Sequence, residues 1–294
     1  MADRLHLPVN FLQNIETLLK DKKQVIFQGP PGTGKTFVAQ ALARHLAGDE
    51  DRCRLVQFHP SYSYEDFVRG YRPTLLDSVQ PGFELKDGPF LQIARQAEAD
   101  PDGQYYLIID EINRGNLAKV FGELYFLLEY RETPMDLMYQ KDGEPAFRMP
   151  NNLHIVGTMN TADRSIALVD LALRRRFAFV GFSMAEEPIK GLLRRWLEAK
   201  QLTHMGWVAD VLERANTALD DRHAAIGPSY FMHEELDHAA VERIWKHNVL
   251  PYVEEHLFGE HDRLAEFALD KLRRADDAGD QEQNEDGGAP QAGA

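Results

Sequence analysis

The sequence has one cysteine, Cys53, among its 294 residues. A lone thiol closes no intramolecular disulfide and excludes the clustered cysteines of a zinc module. With apolar neighbours, Cys53 reads as a small buried strand residue. Long apolar runs are also missing: none reaches the about 18 residues expected of a membrane span. Residues 1–10 lack a cationic stretch followed by an apolar one, so no export leader is expected. These absences together lead us to expect an unexported, cytoplasmic chain without a membrane segment. Basic charge is scarce, with 33 Lys and Arg against 47 Asp and Glu and a formal net charge of −14. Six acidic residues (Asp276, Asp277, Asp280, Glu282, Glu285 and Asp286) follow Arg274, and the body remains acidic without them. A field of that sign repels a polyanion, so DNA contact would need a local basic patch or a separate subunit. No internal repeat occurs. His233 and His238 bracket a segment like a zinc-protease motif, but five residues at about 100° each put them on different helix faces.

What stands out instead is Gly29-Pro30-Pro31-Gly32-Thr33-Gly34-Lys35-Thr36, which follows the apolar run Val25-Ile26-Phe27 and opens a helical run, Phe37 to Leu46. In that setting the glycines let backbone N–H groups turn inward around phosphates, and the new helix points its positive end at them. Lys35 is expected to reach the terminal phosphates and Thr36 to hold magnesium. The substrate would be a nucleoside triphosphate.

Apolar strand runs alternate with helical patterns through the first part of the chain. Phe11–Leu19 reads as an N-terminal helix, and strands are expected at Gln24–Gln28, Arg54–Phe58, Tyr105–Asp110, Leu153–Gly157 and Phe177–Gly181. Helices are expected at Pro89–Ala99, Leu117–Glu129 and Ala167–Leu173. Met135–Tyr139 and Ala146–Met149 flank an Asp142-Gly143 turn of the hairpin kind. This alternation indicates a parallel sheet covered on both faces, an α/β class. From Glu186 onward helical patterns dominate, at Ile189–Ala199, Val208–Leu219, Leu236–Asn248 and Leu250–Phe258. The expected division is an N-terminal helix over 1–23, a nucleotide-binding core over 24–182, a helical domain over 183–274 and a disordered acidic tail over 275–294.

A second half of the nucleotide site is readable downstream. Leu107-Ile108-Ile109 ends in Asp110 and Glu111 at the edge where a parallel sheet places its ligands. Asp110 would orient magnesium and its waters, and Glu111 would polarise the attacking water. Asn160, after the Leu153–Gly157 run, is placed to bridge that water and the terminal phosphate, with Thr161 and Asp163 in the same loop. A turn closed by Asn and Asp side chains is the alternative for the same residues, and their position at a strand end favours the functional reading. Arg174-Arg175-Arg176 are either a solvated basic cluster paired with local acids or, in a ring, a source of arginines for a neighbour's phosphate.

Taken together these residues resemble the AAA+ superfamily and, within it, the motor domain of the McrB family. The resemblance rests on GPPGTGKTFVA (Gly29 to Ala39), VQFHPSYSYEDFVRGYRP (Val56 to Pro73), LIIDEINRGNLAKVFGEL (Leu107 to Leu124) and GTMNTADRSIALVDLALRRRF (Gly157 to Phe177), with an echo at Ile226 to Phe231. It implies an AAA+ αβα core with a five-stranded parallel sheet followed by a helical lid, assembled as a homo-oligomeric ring, a hexamer. It also implies an insert at Gly82–Gly88 within the second helix and a hairpin at Met135–Met149, both facing the pore. Family roles carry over to Lys35 and Thr36 in the phosphate loop, to Asp110 and Glu111 in the magnesium and water site, and to Asn160 as phosphate sensor. Asp163 is a further polar candidate, and Arg174 and Arg175 are the trans-acting arginines. No arginine stands in the lid motif around Ser229 and Tyr230. The implied activity is Mg-dependent hydrolysis of GTP or ATP, driving an McrC-like nuclease subunit in modification-dependent restriction or antiphage defence. A MoxR-like chaperone acting on a protein partner is the alternative. Restriction-type relatives carry a DNA-reading domain before the motor, whereas 28 residues precede Gly29, so either target choice lies with another polypeptide or the protein has a different task.

Overall fold

A computed structural model of the chain describes residues 1–76, 80–162 and 171–273. Asp163, most of the helix expected at Ala167–Leu173 and the acidic segment 275–294 lie outside the described residues.

The described residues contain the strands β1 (Gln24–Gly29), β2 (Cys53–Gln57), β3 (Arg69–Leu76), β4 (Gln80–Asp87), β5 (Tyr105–Asp110), β6 (Leu153–Asn160) and β7 (Ala178–Gly181). Five of them form one parallel sheet in the order β2-β5-β6-β1-β7. β1, β5 and β6 are near-continuous apolar runs buried along almost their whole length, as a strand covered on both faces requires. The edge strand β2 is more open, which leaves Cys53 half-buried rather than buried. Burial still pushes its thiol up to about 11. Register decides where the chemistry goes. Gly29 pairs with Asn160 and Gln57 with Asp110, so the segments leaving β1, β5 and β6 emerge together at the carboxyl edge of the sheet.

The chain divides into two compact units. The first comprises Met1–Gly29 and Gly34–Phe182. Helices Val9–Lys22, Lys35–Ala47 and Pro89–Ala99 accompany its sheet, and its core gathers Ile26, Phe67, Phe90, Leu107, Phe121 and Ile155. The second comprises Pro30–Thr33 and Ser183–Ala294. Among its described residues it is helical, with Leu192–Ala199, Trp207–Leu219 and a run His238–Ile244, Trp245–Val249 and Leu250–His256. The two helices expected over Leu236–Phe258 are therefore one, widened to π geometry at Trp245–Val249. Pro251 explains the widening: it donates no N–H, and its ring clashes with the carbonyl four residues back in a regular α-turn.

Three other expectations change. The helix expected over Leu117–Glu129 is two short helices, Leu117–Phe121 and Leu124–Leu127. The break is Gly122, at φ 51° and ψ −127°, a conformation closed to L side chains. The segment expected to hold an insert at Gly82–Gly88 is a full antiparallel hairpin, β3 with β4, pairing Arg69 with Asp87 at its base. The hairpin expected over Met135–Met149 is reduced to one bridge, Met135 with Phe147. Its turn is present, with Glu144 N–H donating to the Lys141 carbonyl at 3.0 Å and Gly143 at φ 76°.

Candidate nucleotide site

The phosphate loop takes the backbone its glycines permit, with Gly32 at φ 74° and Gly34 at φ 83°. No atom lies within 4 Å of a Cβ built at Gly34, so conformation alone demands glycine there. Helix Lys35–Ala47 begins immediately after it. Within the second unit, the Ser229 N–H donates to the Gly32 carbonyl at 3.0 Å, and a Cβ on Gly227 would meet the Gly32 carbonyl carbon at 2.2 Å. Lid motif residues Gly227 and Ser229 therefore hold loop backbone, although no arginine stands among them.

In the first unit Lys35 is 5% exposed, and its ammonium donates to the Gly29 carbonyl at 3.0 Å. Burial pulls its pKa down to about 8, against the upward pull of Glu111 and Asp110. A half-desolvated cation of this kind gains most when an anion arrives. Thr36 Oγ1 donates to Asp110 Oδ1 at 2.6 Å, so residues 74 positions apart share one hydrogen bond. This donor set, a hydroxyl and a carboxylate beside a phosphate loop, has the hard-oxygen chemistry that suits magnesium, which takes its other ligands from phosphate and water.

Glu111 adopts left-handed backbone, φ 52° and ψ 46°, which is uncommon for a residue with a Cβ. The turn takes its carboxylate off the strand direction, and Glu111 Oε1 accepts from Asn160 Nδ2. Glu111 Oε2 accepts from Arg114 Nε at 3.3 Å. The carboxylate, the amide and the lysine expected to act together thus stand at one sheet edge.

Three residues of this constellation escaped the sequence reading. Thr158 Oγ1 donates to Asp110 Oδ1 at 2.6 Å and accepts from the Glu111 N–H at 3.3 Å, pinning both acids. Asn113 Nδ2 donates to the Asn160 carbonyl at 3.3 Å, while its Oδ1 is buried without a hydrogen-bond partner among the described residues. Arg114 is the third. A polar Thr158 inside the otherwise apolar Ile155 to Met159 run was the available signal.

Asp163, the further polar candidate, lies outside the described residues. Arg174 and Arg175 are exposed on helix Leu171–Arg176. Arg174 lies over the Phe179 ring at 5.3 Å. Arg175 and Arg176 both reach Glu129, at 3.9 and 3.2 Å, and Arg176 faces the Tyr125 ring at 5.5 Å. The aromatic stretch after β2 packs inward: Tyr62 stacks on Phe58 at 4.9 Å, and Tyr64 and Phe67 are buried.

A phosphate loop after β1, paired acids after β5 and a polar strand end on β6, on a sheet ordered 2-5-6-1-7, define a P-loop nucleoside triphosphatase core of the AAA class. Residues 24–177 match the profile of the AAA domain, dynein-related subfamily, and residues 208–265 match the α-helical lid domain of McrB. The chain belongs to this AAA family, as a member of the McrB type. It is 49% identical over 182 residues to the type IV methyl-directed restriction enzyme EcoKMcrB subunit of Escherichia coli K12, covering 60% of this chain and 39% of that protein. It is 25% identical over 283 residues to the type II restriction enzyme BsuMI component YdiS of Bacillus subtilis 168, covering 82% and 81% respectively. Mouse cortactin-binding protein 2 aligns at 23% identity over 85% of this chain and 16% of its own length. The chain therefore spans well under half of its E. coli relative. Among the described residues no helix is long and apolar enough to cross a membrane.

Proposed function

We propose that the chain is a Mg-dependent nucleoside triphosphatase, using GTP or ATP, that works as a ring motor beside an McrC-like nuclease in modification-dependent DNA restriction. The observation that carries this reading is the junction of Lys35, Thr36, Asp110, Glu111, Thr158 and Asn160 at one sheet edge. Lys35 binds the terminal phosphates. Thr36 and Asp110 hold the metal, with Thr158 keeping the Asp110 carboxylate in place. Bound there, magnesium would neutralise charge building on the phosphate oxygens. Glu111 takes the proton of the attacking water while Asn160 fixes the water's position; the water oxygen bonds to the γ-phosphorus as the bond to the bridging oxygen breaks in line, releasing nucleoside diphosphate and inorganic phosphate. Arg174 and Arg175 complete the site of the next copy in the ring, probed by their removal. Proteins built this way couple hydrolysis to changes between subunits.

The test is turnover of ATP and GTP by the purified chain with magnesium, alone and with the product of the gene that adjoins its own. Stimulation by that product is expected, and hydrolysis of neither nucleotide in either condition sinks the proposal. A protein-remodelling role is favoured by the acidic balance of the chain, 47 acids against 33 bases. Co-purification with an adhesion-domain protein in place of a nuclease would select it.

A further inference from the structure

Strand β1 carries polar chemistry at both ends. Its carboxyl end runs into the phosphate loop, and its first residue, Gln24, is 2% exposed at the opposite edge of the sheet. The Gln24 amide is fully engaged. Nε2 donates to the carbonyls of Leu128 and Arg176, each at 2.9 Å. Oε1 accepts from Arg131 Nη2 at 2.8 Å. Arg131 is itself buried, and its Nη1 donates to the carbonyls of Pro150 and Leu153, each at 2.9 Å. Four segments converge on this amide and guanidinium: the start of β1, the start of β6, the chain after helix Leu124–Leu127, and the end of helix Leu171–Arg176.

The last of these is the arginine-bearing helix. The final carbonyls of a helix have no donor within it, so outside donors decide where its end sits. Here the Arg175 carbonyl accepts from Lys22 Nζ at 3.4 Å and the Arg176 carbonyl from Gln24. Both donors flank the start of β1. The Arg175 side chain is 79% exposed, with its guanidinium 3.9 Å from Glu129. Glutamine is the residue type that fits, since it offers two donor hydrogens and an acceptor on one planar group. A carboxylate would keep the Arg131 partnership but offer nothing to the two carbonyls.

We propose that Gln24 is a positioning residue: it ties the arginine-bearing helix to the strand that carries the phosphate loop, and so sets where Arg174 and Arg175 reach in the neighbouring copy. This rests on the reading of those arginines as trans-acting. Gln24 touches neither nucleotide nor attacking water, and its effect passes through the neighbour's site.

The experiment compares Gln24→Glu, Arg175→Ala, the double variant Arg174→Ala/Arg175→Ala and Glu111→Gln in the full chain, with its nuclease partner where turnover needs it. Gln24→Glu should fold, because its carboxylate still pairs with Arg131, and should bind a fluorescent nucleotide analogue with unchanged Kd. Its kcat should fall between about tenfold and a hundredfold, the scale of a misplaced charge-stabilising group. Mixing supplies the decisive readout. Glu111→Gln subunits hydrolyse about a hundredfold more slowly or worse but carry well-placed arginines, so rings mixed with Gln24→Glu subunits should turn over faster than the two preparations summed. A defect confined to the variant's own site gives no such recovery and overturns the proposal, as does unchanged kcat. Unchanged turnover in the double arginine variant defeats the trans-acting reading itself. A loss there or in Arg175→Ala without a loss in Gln24→Glu defeats only the role of Gln24. If Gln24→Glu does not fold, Gln24→Asn, whose shorter amide cannot span both carbonyls, takes its place in the same comparison.

Discussion

Lys35 shows how burial tunes a single side chain for its task. Its pKa is pulled down to about 8, so below pH 8 the free site carries the cation that a phosphate needs. Above pH 8 the ammonium loses its proton, and binding must first restore it. Nucleotide Kd should therefore be flat from pH 6.5 to 7.5 and rise toward tenfold per pH unit above about 8; a flat titration to pH 9.5 would contradict this. Thr158 offers a second test. Its hydroxyl reaches the Asp110 carboxylate at 2.6 Å, and a hydrogen bond to a charged group contributes about 1.5–3 kcal/mol. Thr158→Val keeps the shape and loses that bond, so the magnesium dependence of turnover should shift to at least about tenfold higher metal concentration, with the thermal midpoint little changed. His154 belongs to stability instead. It is buried against Tyr106 with Nδ1 unpartnered among the described residues, and burial, then Lys23 and Arg131, press its pKa down to about 4. The unfolded chain takes up this proton near pH 6.5 and the folded one near 4, so stability is full above 6.5 and declines as pH falls through that window, by up to about 3 kcal/mol. Denaturant midpoints of His154→Phe should lack this component between pH 7 and 5.

At the scale of elements, the parts that could be read from sequence were those whose pattern is local. Helix Pro89–Ala99 has a proline at its first position and Asp100-Pro101 after its last, and its limits agree with the reading. β5 and β6 are largely apolar runs of strand length, as strands buried on both faces are. Hairpin β3–β4 was illegible because Gly70, Pro73, Pro81 and Gly82 interrupt its alternation. Its closure depends on distant groups: Arg69, fully buried, meets Asp87 at 2.7 Å and Glu144 at 2.5 Å. The Arg69 guanidinium, hydrogen-bonded to Glu144, holds that carboxyl down to about 2. Such pairing depends on three-dimensional placement and has no sequence period. The same holds for Thr158 and Gln24, which looked like ordinary strand residues. Gly122 was legible as a glycine but not as a break, since the flanking residues keep helical spacing. A Cβ there would meet the Tyr64 ring at 3.0 Å and adopt forbidden backbone. Gly122→Ala should cost more than the about 1 kcal/mol that an unstrained site would gain by the same change, and urea unfolding should show a net loss of about 2 kcal/mol or more.

For the whole molecule, the proposed mechanism makes activity a property of the assembly, because no copy holds both its own Glu111 and the arginines that complete its site. Specific turnover should then rise with protein concentration until the ring is full, whereas a self-sufficient monomer would give a constant value per subunit. Glu111→Gln separates assembly from chemistry. The change is isosteric, leaves the hydrogen bonds of Thr36 and Thr158 to Asp110 in place, and removes the carboxylate that accepts the proton of the attacking water. Loss of a general base lowers turnover by about a hundredfold or more, while nucleotide affinity should stay close to that of the unaltered chain. Nucleotide that is bound and not hydrolysed keeps subunits in the state that favours association, since a ligand stabilises whichever form it binds better. Sedimentation velocity of Glu111→Gln with ATP or GTP and magnesium should therefore show a large species that persists for hours, where the unaltered chain reverts as nucleotide is consumed. Undiminished turnover in this variant would remove Glu111 from the mechanism. Silent turnover with no large species would instead separate hydrolysis from assembly and leave Arg174 and Arg175 without a neighbouring site to complete.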